Sequence, residues 1–242
     1  MKLSRSIVNN IRFFDVSLRD SLQSLNKIYT LNEKKTLLHE ILRKNNIDSI
    51  EVGSFVSSKI LPQLENTDTL FNYANSLSHN KKLFVLTPNE YAVKKALNIG
   101  VDHFSLISSV SEDFQKKNIN KTLNQTKDNI DKMLNLIYDK NIKLYISCIN
   151  ECPIGGKINN EKILNEISEY YYKYDFINNI CLSDTCGTLD YTDFKHIIDG
   201  MIKRGFDLTR FSLHLHQNTN NPEAMNNIIL YAVKNKITLF DV

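Results

Sequence analysis

Short apolar segments alternate with longer amphipathic segments along the chain. The short segments are rich in β-branched and aromatic residues, as buried strands are, and the longer ones repeat apolar residues at helical spacing. The pattern predicts strands at residues 11–17, 47–52, 82–86, 103–107, 143–148, 179–183, 210–215 and 237–242. It predicts helices at residues 32–44, 67–77, 89–98, 122–139, 160–172, 191–203 and 222–235.

This alternation favours a parallel sheet with crossover helices, an α/β fold. With eight strand segments and no linker, we expect a (β/α)8 TIM barrel that forms one domain over residues 1–242. An open doubly wound sheet is the alternative, although no glycine-rich dinucleotide loop follows the first strand. As given, the chain ends at Val242 in the eighth predicted strand. We therefore expect a barrel that lacks its last loop and helix and leaves Ile237, Leu239 and Phe240 poorly covered.

Composition narrows the functional classes. The 30 basic and 27 acidic residues are spread along the chain and give a net charge of +3, which argues against nucleic acid as a partner. No apolar run reaches the roughly 18 residues of a membrane span, so no membrane partner is expected. The basic leader Met1–Ser6 is too short for a convincing transit peptide. Four cysteines are too few for a secreted disulfide framework, and we expect a cytoplasmic protein with reduced thiols.

Polar residues collect directly after the predicted strands. In a TIM barrel these positions share one rim, where active sites lie. The set comprises Asp15 to Asp20, Glu51, Ser108, Ser109, Cys148 to Gly156, Asp184, His214 and His216. Because surface loops are usually polar, one such residue alone means little. The evidence for an active site is that these residues share one rim.

His214 and His216 form the sharpest local pattern. Alternate residues of a strand point to one face, so both imidazoles should project together while Leu215 packs outward against helices. With Asp20 as a third ligand, this set suits Mg²⁺, Mn²⁺, Fe²⁺ or Zn²⁺. The alternative is a hydrogen-bonded histidine pair at a strand end.

Arg19, Glu51 and Asp184 each allow two interpretations. Beside a divalent ion, Arg19 would stabilise an oxyanion and Glu51 would orient it through an ion pair. Otherwise Arg19 and Asp20 are a solvated loop pair and Glu51 is a simple strand-end carboxylate. Asp184 is either a functional acid or a helix cap.

Several motifs in order resemble the pyruvate-carboxyltransferase-like metallolyase barrels. The first strand carries FDVSLRDSLQ (14–23), and LSDT (182–185) and HLH (214–216) fit the whole group. Further segments resemble the hydroxymethylglutaryl-CoA lyases within that group. They are IEVGSFVSSK (50–59) with PQ (62–63), FQKKNIN (114–120), SCINECP (147–153) and GKI (156–158). The resemblance runs over nearly the whole chain.

The resemblance implies cleavage of 3-hydroxy-3-methylglutaryl-CoA to acetyl-CoA and acetoacetate, with Mg²⁺ or Mn²⁺ as cofactor. It implies that Asp20, His214 and His216 are metal ligands and that His214 also moves a proton. Arg19 would stabilise the enolate, with Glu51 and Asp184 in support. The implied partner is an acyl-CoA substrate, and a homo-oligomer is a further expectation.

The sequence also departs from the family pattern. Ser21 replaces a glycine of the first motif, and Gln217-Asn218 replaces an acid after the histidine pair. The family's cysteine-bearing loop after the eighth strand, and the asparagine ligand beyond it, have no counterpart before Val242. Two alternatives therefore stay open: a related condensing or carboxyl-transferring enzyme, and a catalytically impaired remnant.

Overall fold

The computed structural model describes residues 10–217 and 221–242; the leader Met1–Ser6 and Asn218, both interpreted above, lie outside the described residues. The strands are β1 (Arg12–Asp15), β2 (Ile47–Ser54), β3 (Lys82–Leu86), β4 (His103–Ser109), β5 (Asn141–Ser147), β6 (Glu151–Cys152), β7 (Gly156–Lys157), β8 (Asn179–Ser183), β9 (Phe211–His214) and β10 (Leu239–Asp241). The main helices are α1 (Leu31–Leu42), α2 (Thr67–Ser76), α3 (Glu90–Asn98), α4 (Glu112–Ile119), α5 (Leu123–Ile137), α6 (Asn160–Lys173), α7 (Tyr191–Lys203) and α8 (Pro222–Lys234). Shorter helical turns lie at Ser17–Ser21, Leu22–Ser24, Pro62–Leu64 and Leu208–Arg210.

Eight of the strands form one closed parallel barrel, in the order β1-β10-β9-β8-β5-β4-β3-β2. The TIM barrel predicted from the alternating pattern is confirmed, and the open-sheet alternative is wrong. Strands β6 and β7 form a separate antiparallel hairpin.

Three local elements differ from the sequence prediction. Helix α4 was not predicted because Phe114 and Ile119 are its large apolar residues, too few to mark a helical face. The β6–β7 hairpin has two residues in each strand, which is below the length that alternation can identify. The first strand ends at Asp15, and Ser17–Ser21 forms a π-helical turn.

Within the described residues, packing divides the chain into two compact units. The first contains residues 12–106, 129–142 and 241–242. In its core, Phe14 of β1 meets Phe84 of β3 edge to face, with ring centroids 5.0 Å apart. Thr30 and Glu33 form a capping box that begins α1, which satisfies backbone N–H groups at the helix start.

Of the described residues, the second unit contains 10–11, 107–128, 143–217 and 221–240. Its strands β5, β8 and β9 pair so that Ser147 lies opposite Ser183, and Ser183 lies opposite His214. The carboxyl ends of these strands are therefore level. This register brings the loops after β5 and β8 next to the histidine pair.

The expected poor cover at the end of the chain is wrong for two of the three residues. Ile237 is fully buried and Phe240 is 6% exposed, while Leu239 is half-buried. The Ile237 N–H donates to the carbonyl of Ala232 in α8, so the chain folds back onto that helix before β10. Ile237 and Phe240 are therefore core residues.

None of the helices in the described ranges is long and apolar enough to cross a membrane. The cytoplasmic location and the single-domain organisation over residues 1–242 stay predictions.

Candidate functional site

The first group of predicted site residues lies on the turn after β1 and on β2. In the Ser17–Ser21 turn, the backbone N–H groups of Arg19 and Asp20 both donate to the Val16 carbonyl, at 3.1 and 2.7 Å. The turn leaves Arg19 only 7% exposed, and Glu51 is fully buried. Arg19 Nε donates to Glu51 Oε2, and Arg19 Nη1 donates to Asp20 Oδ1. Arg19 and Asp20 are therefore not a solvated loop pair, and the predicted contact of Arg19 with Glu51 is present.

The burial of Arg19 has an electrostatic consequence. A guanidinium keeps its charge at any ordinary pH, and a buried one needs carboxylate partners to offset desolvation. Asp20 and Glu51 provide these partners and fix the plane of the guanidinium. A cation held in this way before a ligand arrives is suited to stabilise negative charge that develops nearby.

The second group contains the histidine pair. His214 is the last residue of β9, and His216 lies two residues beyond it. Their ring centroids are 5.0 Å apart, so the two imidazoles lie together as predicted. The strand-alternation argument does not extend to His216, because the strand ends first. Leu215 and His216 both line one small cavity, together with Met225 of α8, so the opposite orientation of Leu215 stays a prediction.

One hydrogen bond determines how His216 presents its ring. His216 Nδ1 lies 2.7 Å from the backbone carbonyl oxygen of Asp184. A carbonyl oxygen only accepts, so Nδ1 carries a proton, and in the neutral imidazole Nε2 is then the nitrogen with the lone pair. Metal-binding histidines are commonly held through the second ring nitrogen in this way.

Asp184 fixes the loop that holds His216. Its backbone N–H donates to the His214 carbonyl at 3.0 Å, and its carboxylate accepts from the N–H groups of Thr188 and Leu189. Burial raises the pKa of Asp184, and these N–H donors act against that shift. Helix α7 is capped by Asp190, so the helix-cap interpretation of Asp184 is wrong. Asp184 instead closes the turn 184–189.

Gly187 lies in the same turn and was missed by sequence reasoning. Its φ is +65°, a conformation that L side chains rarely adopt. A Cβ atom at this position would lie 3.2 Å from His216 Cβ and 3.2 Å from the Gln217 carbonyl oxygen. Its place three residues after the rim acid Asp184 is the signal that could have identified it.

The rim serines of the fourth strand have structural partners. Ser108 Oγ is hydrogen-bonded to the Tyr170 hydroxyl at 2.7 Å, and both residues are buried. Ser109 Oγ donates to the carbonyl of Ser147 at 3.3 Å. These contacts join elements of the second unit and give the serines a role in packing.

Asp20, His214 and His216 are the side chains predicted to hold a metal ion, and each offers one ligand atom, a carboxylate oxygen or an imidazole nitrogen. Two imidazoles and one carboxylate suit several divalent metals. Together with the lone pair on His216 Nε2, this donor set fits the predicted cofactor.

Comparison with known proteins places these features in a family. The HMGL-like family model matches residues 10–235. Hydroxymethylglutaryl-CoA lyase of Arabidopsis thaliana (mitochondrial) is 28% identical over 188 residues, which cover 77% of this chain and 39% of the relative. The human mitochondrial lyase is 28% identical over 214 residues, which cover 87% of this chain and 64% of the relative. The chain thus spans less than two thirds of either relative.

A solved structure supports the same fold. The HMG-CoA lyase of Acinetobacter baumannii, in complex with coenzyme A and 3-methylmalate, superposes with a TM-score of 0.85 at 24% identity. The superposition covers 100% of this chain and 76% of that chain.

Proposed function

The chain belongs to the HMGL-like family, and from that premise we propose that it cleaves 3-hydroxy-3-methylglutaryl-CoA to acetyl-CoA and acetoacetate. The observation that carries the proposal is the histidine pair, since the His214 and His216 rings lie 5.0 Å apart and the Asp184 carbonyl holds His216 Nδ1. The relatives support the substrate, since both are hydroxymethylglutaryl-CoA lyases and the Acinetobacter lyase holds coenzyme A. We extend acyl-CoA binding to this chain on the same basis.

In this proposal Asp20, His214 and His216 hold Mg²⁺ or Mn²⁺. A bound divalent ion would lower the free energy of negative charge on the substrate oxygens. His216 would bind the ion through Nε2 of the neutral ring, because Nδ1 donates to the Asp184 carbonyl. Asp184 therefore acts by positioning His216, through the turn that its carboxylate closes.

Arg19 and Glu51 carry the second part of the proposal. In the cleavage the tertiary hydroxyl loses a proton, a carbon–carbon bond breaks, and acetyl-CoA leaves as its enolate. Arg19 would stabilise the enolate oxygen, because its guanidinium is buried and already oriented by Glu51. We assign His214 the further role of moving a proton during this step.

The first experiment measures acetoacetate release from 3-hydroxy-3-methylglutaryl-CoA by the purified chain with Mn²⁺. His216→Ala should abolish turnover because it removes a ligand atom. The matched control is His196→Ala, a histidine on the exposed side of α7, which should keep full activity.

Two outcomes would contradict the proposal. Equal turnover in His216→Ala would separate activity from the metal group. A folded chain that binds Mn²⁺ through His216 but releases no acetoacetate would favour a related condensing or carboxyl-transferring reaction, or a binding-competent remnant. A panel of acyl-CoA acceptors distinguishes these two. The homo-oligomer stays a prediction, which the mass of the native protein tests.

A further inference from the structure

A buried asparagine joins the β6–β7 hairpin to the turn 184–189, the turn that holds His216. Asn150 lies in the loop before the hairpin and is 1% exposed. Its side-chain Nδ2 lies 3.1 Å from Thr188 Oγ1, and its Oδ1 accepts a hydrogen bond from Lys157 Nζ of β7. The proposed function gives this side chain no role.

The two partners of Asn150 determine which way its amide faces. An ammonium group only donates, so the atom that faces Lys157 Nζ is the carbonyl oxygen Oδ1. The NH₂ group then faces Thr188 and donates to its hydroxyl oxygen. An amide can accept on one side and donate on the other, whereas an ionised aspartate only accepts and a leucine does neither.

The hairpin holds Asn150 at two points. The Asn150 carbonyl accepts from the Ile158 N–H at 2.9 Å, directly after β7. Lys157 Nζ, which donates to the Asn150 side chain, also donates to Asp193 Oδ2 in α7. Both the backbone and the side chain of Asn150 are therefore fixed on this side, and the side chain can act as an anchor for the neighbouring turn.

Thr188 connects this anchor to the residue that holds His216. The Thr188 N–H donates to Asp184 Oδ1 at 3.3 Å, and the Asp184 carbonyl accepts from His216 Nδ1 at 2.7 Å. Three successive hydrogen bonds thus lead from the Asn150 amide to the His216 imidazole. Because Thr188 is exposed, hydrogen bonds and not burial hold its side chain in place.

We propose that Asn150 is a positioning residue for His216. Through Thr188 it holds the turn 184–189, so that the Asp184 carbonyl keeps a proton on His216 Nδ1 and leaves Nε2 of the neutral ring for the ion. The inference rests on the proposed function for the role of His216 as a ligand. Residues that orient a metal ligand through hydrogen bonds commonly change metal affinity by about tenfold or more.

The first test uses the metal-free chain and follows the His216 imidazole by long-range ¹H–¹⁵N NMR at alkaline pH, where the ring is neutral. The signal is assigned by its loss in His216→Ala, and the wild type should show the Nδ1–H tautomer. Thr188→Val removes the acceptor of the Asn150 amide at nearly the same side-chain shape, so the ring should sample both tautomers. Thr188→Ser keeps the hydroxyl and is the matched control, which should give the wild-type spectrum.

The second test measures Mn²⁺ affinity by calorimetry. Asn150→Leu and Thr188→Val should each weaken binding by about tenfold, and Thr188→Ser should keep the wild-type affinity. The double variant should lose no more affinity than Asn150→Leu alone, because both substitutions break one contact. Circular dichroism verifies each fold, and Thr188→Val, at an exposed residue, carries the test if Asn150→Leu is unfolded.

Three results would overturn the inference: the Nε2–H tautomer in the wild type, a wild-type spectrum in Thr188→Val, or losses of Mn²⁺ affinity that add in the double variant. A wild type that shows the Nδ1–H tautomer, loses it in Thr188→Val and releases no acetoacetate would support the positioning role and contradict only the proposed function. The two failures are therefore distinguishable.

Discussion

Gly187 combines a left-handed backbone with a position against His216. An alanine there costs about 1–2 kcal/mol for the positive φ alone. The added Cβ would also press on His216 Cβ and the Gln217 carbonyl, both at 3.2 Å. The second effect acts on the predicted metal ligand and not only on stability.

We predict that Gly187→Ala weakens Mn²⁺ binding by about tenfold, since displacement of one ligand by a few tenths of an ångström is felt directly by the ion. Isothermal titration calorimetry measures the affinity. Gly205→Ala is the matched control, because Gly205 has a φ of +77° and nothing lies within 4 Å of its added Cβ. It should lose similar stability and keep its Mn²⁺ affinity. Equal affinity in both variants would mean that Gly187 does not position His216.

The residue scale also shows what the sequence could predict. Arg19 and Glu51 were paired from their places at the ends of adjacent strands, and this contact is present. The Ser111–Cys152 hydrogen bond joins residues 41 positions apart through a loop and a hairpin. No periodic pattern encodes such a contact, so it needed the structure.

At the scale of elements, Gly53 and Gly200 each let a neighbouring residue approach the backbone closely, and the two neighbouring residues differ. A Cβ on Gly53 of β2 would overlap Thr67 Oγ1 at the start of α2 and lie 2.9 Å from Thr67 Cγ2. Thr67 is β-branched and its hydroxyl donates to the Leu64 carbonyl at 2.8 Å, so it cannot rotate away freely. A Cβ on Gly200 of α7 would lie 2.5 Å from Leu164 Cδ1, the far end of a flexible side chain.

Because the neighbouring residues differ, we predict that alanine is tolerated at Gly200 and destabilises the fold at Gly53. Gly53→Ala should lower the free energy of unfolding by about 1–3 kcal/mol, the usual effect of overpacking. Gly200→Ala should stay within about 1 kcal/mol of the wild type, because a gain of about 1 kcal/mol in helix propensity offsets the rotamer change of Leu164. Urea unfolding of both variants measures the two free energies of unfolding. A larger loss of unfolding free energy in Gly200→Ala than in Gly53→Ala would contradict the argument.

The elements themselves were largely predictable. Every barrel strand was located by its apolar run, because burial on both faces of a parallel sheet leaves a continuous signal. Helix α4 gave no such signal, since its residues are mostly polar and its start depends on the Ser111 cap. The π-helical turn at Ser17–Ser21 arises from three N–H groups that share the Val16 carbonyl, which composition does not reveal.

At the scale of the whole molecule, the barrel rule carried the site prediction. Asp20 lies almost two hundred residues before the two histidines, and the rule that rim residues share one edge is what predicts that the three act together. The rule does not specify how each side chain is oriented. The proton position on His216 depends on a carbonyl in the 184–189 turn, and no sequence pattern specifies it.

The pH dependence of global stability offers a further prediction. Burial raises the pKa of Asp15, although hydrogen bonds from Ser17 partly oppose it. The folded state therefore binds this proton more tightly than the unfolded state does, and the buried charge destabilises the fold above the raised pKa. As pH falls from 7 towards the unfolded value of 3.8, protonation should restore stability. The unfolding free energy of the wild type should thus rise relative to Asp15→Asn over this range.

Asp207→Asn is the control with the opposite sign. Hydrogen bonds from Thr209 lower the pKa of Asp207, so its contribution is present above the ordinary pKa and is lost as pH falls through the lowered one. The wild type should therefore lose stability relative to Asp207→Asn as the pH falls below 4. Urea unfolding at a series of pH values measures both differences. Each difference compares the wild type with a variant that keeps every other carboxylate, so general acid denaturation cancels. If both differences changed with pH in the same direction, the assigned pKa directions of Asp15 and Asp207 would be refuted.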